Sequence, residues 1–416
     1  MKVLVVSNLY PPEVIGGYEL SCRQVVDGLR SAGHDVRVLT TAPQVPAGPE
    51  AHVDRHLRRP DVFSPLRHSS RSEFWELESN LLDSGNVYAL ISVLEEFRPD
   101  VCYLWNLVSI GGAGLVGALE YLGVPWLWHL GDAVPAQLCV FDGAILPIAT
   151  LMSTRLTGRF LAVSQGLINE IEHVVSLGGR TRLIPNWTVG TEAPLERTYF
   201  DGTFLTLAFA GQLNEHKGVY IALDAVAQLR DAGYTQLSLD LYGRGETESV
   251  AARIRQLDLT TMVTLRGWTP QDELYRELEH HDLFIFPTWS REPFAIAPLD
   301  AGARGCVPLV SSPSGPAEWL VDGVHYLAAR RDPTAFASVI RQVLDGEIDL
   351  AAIGRRAAAL VRSEYTLDRV LPIIEEELEG RVGQGHDPVG TSNELHRMAV
   401  IAEAMGRRWV TEASAR

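Results

Sequence analysis

Residues 2–41 read KVLVVSNLYPPEVIGGYELSCRQVVDGLRSAGHDVRVLTT. KVLVVSN (2–8) is a continuous apolar run that ends in a polar loop, the mark of a buried first strand. LYPPEVIGG is rich in turn formers. YELSCRQVVDGLRSAG (18–33) carries its apolar residues at helical spacing and stops at Gly33. DVRVLTT (35–41) is a second strand. Strand, glycine loop, helix and strand make one βαβ unit, which implies a parallel sheet with a right-handed crossover.

Working outward, the same alternation continues. DVCYLWN (100–106), PWLWHL (125–130) and RFLAVS (159–164) read as further strands, the last followed by QGLINEIEHVV and then RLIPN (182–186), and helices fill the gaps. WTVGTEAPLERTYFDG (187–202) is polar and turn-rich and reads as a linker. Beyond it the pattern restarts with TFLTLAFAG, a helix over 217–233, LSLDLYG, TMVTLRG, DLFIFPT and VPLVSS. The expectation is α/β architecture: two tandem Rossmann-like, doubly wound parallel-sheet domains with a cleft between them. The expected domains are 1–190, a linker at 191–202, a second domain at 203–365, and C-terminal helices over 366–416 that pack back on the first domain. A terminal amphipathic helix is expected at 367–383, a connector at 383–391, and one more helix at 392–410.

Composition narrows the function. The chain has 416 residues, too many for one ordinary core, and a net charge of −16. That charge argues against a nucleic-acid partner. Cys22, Cys102, Cys139 and Cys306 are far apart and form no CxxC, so neither a disulfide framework nor a zinc site is expected, and a cytoplasmic location fits. The N-terminus does not read as a signal peptide, and no stretch approaches 18 uninterrupted apolar residues, so no transmembrane segment is expected.

Of 36 basic residues only Lys2 and Lys217 are lysines. Lys217 follows a strand and the loop GQLNEH and opens a helix. Parallel sheets bind ligands beyond the carboxyl ends of their strands, and a helix N-terminus there suits phosphate. A compact ammonium fits where an arginine fork needs more room. The alternative is a plain solvent-exposed helix start; the retention of lysine against an arginine background favours the anion site. Downstream, REPFAIAPLDAGARG places Glu292 and Asp300 where both can line one crevice and accept hydrogen bonds from sugar or ribose hydroxyls. For Asp300 alone, a solvated helix face is the simpler reading.

GQLNEHKG followed by REPFAIAPLDAGARG resembles the retaining GT-B glycosyltransferases of family 4. The resemblance covers about residues 1–380 and includes GGYE, HLGD, AVSQGL, LIPN, YGRGE, RGW and SGPAEWLVDG in order. It implies a metal-independent enzyme that takes its sugar from a nucleoside-diphosphate sugar, with no other cofactor. The second domain would hold the donor and the first the acceptor. By resemblance, Lys217 neutralises the donor diphosphate and Gly16 and Gly17 approach it through backbone N–H groups. Glu292 lies by the transferred sugar, Asp300 by the ribose, and the amides of Phe294, Ala295 and Ile296 face the sugar or phosphate. His129 lies near the reacting centre. Gly243, Glu246, Arg266 and Gly267 sit where base and ribose are held. Three positions depart from the family pattern: Gln212 replaces an arginine, Asp300 replaces a glutamate, and Ala295 replaces a glycine.

The implied reaction transfers the sugar to an acceptor hydroxyl with retention of configuration. Trp105, Asn106 and Asp132 are the acceptor-binding candidates. Trp75, Trp105, Trp126, Trp128 and Trp187 suit sugar rings or a polycyclic aglycone, or equally a core. Residues 55–71 hold five arginines that suit an anionic acceptor or peripheral membrane contact, with a solvated loop the simpler reading. A saccharide, cyclitol or natural-product aglycone is the favoured acceptor; polyprenyl- or lipid-linked acceptors stay open. The rival classes are a GT-B sugar-nucleotide epimerase and a non-catalytic sugar-binding protein. A dinucleotide oxidoreductase is disfavoured because neither domain has GxGxxG after its first strand.

Overall fold

The computed structural model describes residues 1–44, 48, 50–59, 80–191, 195 and 197–385. They form two compact units: Met1–Ile184 together with the chain from Leu371 onward, and Pro185–Val370.

In the first unit the strands are β1 Lys2–Val6, β2 Asp35–Thr41, β3 Val53–Leu57, β4 Val101–Leu104, β5 Trp126–Leu130, the short pair β6 Val140–Phe141 and β7 Ala144–Ile145, then β8 Arg159–Ala162 and β9 Thr181–Leu183. Seven of them pair in the order β3-β2-β1-β4-β5-β8-β9, every neighbour parallel. β6 and β7 form an antiparallel hairpin. Val3 to Val6 are fully buried because parallel sheets have both faces covered, so these four side chains of β1 are apolar, while Lys2 at its start is exposed. The helix Gly17–Ser31 carries the chain from β1 to β2 and buries Cys22, Val25, Val26 and Leu29.

The second unit repeats the plan with β10 Leu205–Ala210, β11 Leu237–Tyr242, β12 Val263–Gly267, β13 Leu283–Phe286, β14 Val307–Ser311 and β15 Leu327–Ala329. Their order is β12-β11-β10-β13-β14-β15, again all parallel. The helix Val219–Asp231 follows β10, and its Val219, Ala222, Leu223 and Val226 join the core beneath the sheet.

Each sheet has one point where strand order reverses: between β1 and β4 in the first unit, and between β10 and β13 in the second. Loops that leave the two carboxyl ends there diverge and open a crevice, the general ligand position of such sheets. In the first unit these are loops 7–16 and 105–111. In the second they are 211–218 and 287–296, which contain Lys217 and Glu292.

The segment read as a linker is built into the second unit. Trp187 is buried. Thr188 pairs with the chain just before the last described helix: its amide donates to Tyr365 O at 2.9 Å, and its carbonyl accepts from Leu367 N at 3.2 Å. Arg197 donates to Arg304 O and His281 O, and Arg362 donates to Thr191 O. The polar composition of 187–202 thus serves side-chain and backbone pairing, and the unit boundary falls at Ile184 rather than 190. The helix Leu367–Glu379 enters the first unit, where Ile374 and Leu378 are fully buried. Its acidic residues meet His34 at 3.1 Å (Glu375) and Arg182 at 2.7 and 3.0 Å (Glu376, Glu377). Among the described residues no helix is long and apolar enough to cross a membrane. The helix expected at 392–410, most of the arginine-rich stretch and Trp75 lie outside the described residues.

Candidate functional site

In the second unit the crevice is assembled from crossed backbones. Gly243 has φ +145°, and a Cβ there would lie 1.8 Å from the Gly211 carbonyl oxygen, so no larger residue fits. Its amide donates to Gly267 O at 2.8 Å, and Leu213 N donates to Arg244 O at 2.7 Å. The loops after β10, β11 and β12 are therefore tied to one another. At the helix start Gly218 has φ +81°, and a Cβ would lie 2.0 Å from Pro287 O. That contact packs the Lys217 loop directly on the end of β13.

Lys217 and Glu292 meet across the reversal point, with Nζ 2.5 Å from Oε2. The Lys217 amide donates to Asn214 Oδ1 at 2.9 Å, and the ammonium lies 5.6 Å from the centre of the Phe286 ring. Thr288 Oγ1 donates to the same carboxylate oxygen at 2.9 Å. Two further ties join the loops. Trp289 N donates to His216 O at 3.0 Å, and Arg331 donates from Nε to Pro287 O at 3.1 Å and from its terminal nitrogen to Glu215 O at 2.6 Å. The amides of Phe294, Ala295 and Ile296, just beyond Glu292, have no acceptor among the described residues. A cation and a carboxylate therefore meet at the crevice end, and three N–H groups without an acceptor among the described residues follow Glu292 in the chain. This combination suits an anion beside a hydroxylated ring.

The other donor-side candidates have partners of their own. Glu246 accepts from Tyr220 OH at 2.6 Å, and Arg266 pairs at 3.0 Å with Asp240, which His281 also approaches. Gln212 Oε1 accepts from Asn214 Nδ2 at 3.0 Å, which shapes the loop ahead of Lys217. Phe294 is buried, its ring stacked on Trp319 and its carbonyl accepting from Asn186.

Asp300 does not line the crevice with Glu292. Its Oδ1 accepts from Thr188 Oγ1 at 2.5 Å, Arg304 donates to that same hydroxyl oxygen at 3.0 Å, and the Arg304 guanidinium lies on the Tyr275 ring. Burial pushes the Asp300 carboxyl up to about 6. The physical reason is position: in the first turn of Ala297–Ala303 the carboxylate is buried against the connector and accepts from Thr188.

The first unit presents a different group of candidates. Gly16 caps the helix Gly17–Ser31, but its amide and that of Ile15 donate to Glu19 Oε2 at 2.8 and 3.1 Å. The helix thus neutralises its own N-terminus with a buried carboxylate, whose pKa burial raises. Gly16's N–H is accordingly engaged, while Gly17 is exposed.

His129 lies within β5 and is buried. Its ring stacks on Trp105 at 4.3 Å, and Nδ1 is 2.7 Å from Tyr103 OH. Burial pushes its pKa down to about 3, so the ring is neutral. Tyr103 is fully buried, and the contact with Nδ1 ties the tyrosine hydroxyl to the imidazole inside the core. Tyr18 OH donates to His129 O and accepts from Gly131 N at 3.2 Å, closing the aromatic group from the helix side.

Trp105 corrects the expectation of an aromatic wall. It is 1% exposed, as are Trp126, Trp128 and Trp187 to within a percentage point, so these tryptophans are core. The Trp105 indole N–H has no partner among the described residues. Asn106 accepts from Val108 N at 3.1 Å and shapes its own loop. Asp132 is exposed and accepts from Ala133 N and Gln137 Nε2 at the start of a short helix. Among the described residues no group of three or more His, Cys, Asp or Glu side chains is arranged to hold a metal ion. Thr288, Arg331 and Tyr103 carry no motif, and sequence spacing could not have found them; Tyr18 lies within GGYE, but its contact with the His129 strand is visible only in the fold.

Two family models match the chain. Glycosyltransferase Family 4 covers residues 15–188, and Glycosyl transferases group 1 covers residues 196–359. Glycogen synthase of Mycobacterium tuberculosis H37Rv is 26% identical over 388 residues, spanning 88% of this chain and 91% of that protein. A GDP-mannose-dependent mannosyltransferase of Corynebacterium glutamicum is 23% identical, over 90% and 98% of the two chains. Among solved structures, sucrose-phosphate synthase from Thermosynechococcus elongatus superposes with a TM-score of 0.69 at 17% identity, covering 91% of this chain and 98% of that one. HepE of Anabaena, in complex with UDP and glucose, gives 0.68 at 18%, covering 91% and 100%. The fold is GT-B, two Rossmann-like units in tandem. The chain belongs to the group 1, family 4 glycosyltransferases, and it is an enzyme of that class.

Proposed function

We propose that this glycosyltransferase takes its sugar from a nucleoside-diphosphate sugar and transfers it, without a metal and with retention, to a hydroxyl of a saccharide, cyclitol or natural-product aglycone. The observation that carries the donor reading is the Lys217–Glu292 contact beside the unpaired amides of Phe294, Ala295 and Ile296. Lys217 has three ammonium protons and gives one to Glu292, which leaves two for phosphate oxygens. As the bond between the anomeric carbon and the phosphate oxygen breaks, charge develops on the diphosphate. The ammonium and the amides lie ready to stabilise it without reorganisation.

In a retaining transfer without a covalent intermediate, the acceptor oxygen arrives on the face from which the diphosphate departs. The acceptor proton then has the departing phosphate oxygen beside it. His129, whose pKa burial pushes down to about 3, would meet such a step as a neutral imidazole and not as a charged acid. Nucleotide-sugar use is also what the relatives suggest: HepE is solved with UDP-glucose, and the Corynebacterium relative is GDP-mannose-dependent. The residues around β5 in the first unit are the proposed acceptor side. The four cysteines are free and buried, which suits work in the cytoplasm.

The test is a thermal-shift series with UDP, GDP, ADP, CDP and dTDP, with and without EDTA. One diphosphate at 100 times its Kd should add about 2.7 kcal/mol to the unit that binds it. EDTA should change nothing. Lys217→Ala should erase the shift, and Lys217→Ala and Glu292→Ala should each lower turnover by about 10²–10³-fold with the fold retained. Near-normal turnover in both variants removes the assignment.

A further inference from the structure

We propose that Thr288 is a positioning residue for Glu292: together with Lys217 it engages one carboxylate oxygen, Oε2, and so reserves the other, Oε1, for a hydroxyl of the transferred sugar. The inference rests on the reading of Lys217 and Glu292 as donor-site residues. Thr288 is the second residue beyond β13 and is fully buried. Its Oγ1 lies 2.9 Å from Glu292 Oε2, and Lys217 Nζ lies 2.5 Å from the same atom. A carboxylate only accepts, so the threonine hydroxyl must be the donor.

Nothing among the described residues donates to Oε1. Glu292 is 6% exposed, and Oε1 is not among the fully buried atoms left without a partner, so it keeps surface on which a ligand hydroxyl can donate to it. The Glu292 backbone is also fixed. Its amide donates to Trp289 O at 3.1 Å and its carbonyl accepts from Gly315 N at 2.9 Å. Gly315 is crowded there, since a Cβ would lie 1.7 Å from Pro293 O.

The orientation of Thr288 is set from the neighbouring strand. Ser311 Oγ, at the end of β14, donates to Thr288 O at 2.5 Å, and Ser314 Oγ donates to Ser311 O at 2.6 Å. Order therefore passes from β14 through Thr288 to the carboxylate. Lys217 keeps two protons for the diphosphate, and Glu292 keeps one oxygen for the sugar. The two parts of the donor are divided between two side chains that share a single oxygen. Loss of the Thr288 hydroxyl should therefore be felt by the sugar and not by the diphosphate.

Thr288→Val keeps the shape and removes the hydroxyl, and Thr288→Ser keeps the hydroxyl. Binding of UDP, GDP, ADP, CDP and dTDP and of their glucose conjugates is measured by calorimetry on the full chain. For the nucleotide that the wild type binds, Thr288→Val should hold the free diphosphate within about twofold. It should bind the glucose conjugate about tenfold more weakly, the size of one hydrogen bond to a charged group. Thr288→Ser should restore the difference, and Thr288→Ala takes the place of valine should that variant not fold. Equal weakening of both ligands, no weakening of either, or failure of serine to rescue overturns the role of Thr288 while leaving the diphosphate site standing. Failure of every diphosphate to bind the wild type overturns the donor reading and this inference with it.

Discussion

Asp300 shows how a distant partner decides the direction of a side chain. A carboxylate at this helix position could point outward to a ligand or inward to the connector. Here it bonds Thr188 and lies in a buried group with Arg304 and Tyr275. Burial raises its pKa to about 6, above the ordinary 3.8. The linkage then has a definite sign. Between about pH 4 and 6 the unfolded chain has released this proton and the folded chain still holds it, so stability from this group falls as pH rises through that window. Asp300→Asn should flatten that slope in a series of melts from pH 4 to 7 and leave diphosphate affinity unchanged. A large loss of nucleotide affinity would instead return Asp300 to the donor site. The sequence placed Asp300 on the helix after β13, but the direction of its side chain depends on Thr188, 112 residues away.

Among elements, the two loops at the β10/β13 reversal act as one body. Arg331, which follows β15, donates to a carbonyl in each: Pro287 at 3.1 Å and Glu215 at 2.6 Å. It touches neither Lys217 nor Glu292. Removing it takes the side-chain donor from Pro287 O and leaves Glu215 O with the Gly218 amide alone, which loosens the tie between the loops. A displacement of about 1 Å at a reacting group can cost about 10²-fold in rate. Arg331→Met should therefore lower kcat by roughly 10–100-fold. Amide exchange should quicken over 212–218 and 287–292, with the global melt little changed. Unaltered exchange in those loops would show that the clamp is not needed. Both loops were legible as strand–loop–helix turns, because glycine and apolar periodicity are local signals. The arginine that joins them was not, because its partners are backbone oxygens and carry no residue identity.

For the whole molecule, the chain leaves its first unit at Ile184 and returns to it at Leu371. The returning helix Leu367–Glu379 completes that unit. A Cβ on Gly28 would meet Leu371 Cδ2 at 2.7 Å, and Ile374 and Leu378 are fully buried. Ile374→Ala should destabilise the first unit by about 2–5 kcal/mol. Calorimetry should show one transition moved down, while a second transition keeps its nucleotide-dependent shift. A single transition that moves as a whole would mean the two units unfold as one.

Short-range order was written in the chain itself. Apolar runs, helical spacing and terminal glycines declare each βαβ unit because those preferences act between residues a few positions apart. The restart after residue 202 declares a second sheet, and one lysine among arginines marks the proposed anion site. Strand order, the inward turn of Asp300, the burial of Trp105 and the hydroxyl on Glu292 were settled only when distant segments packed together. Each is a contact between residues far apart in the chain, and such a contact leaves no periodic trace along it.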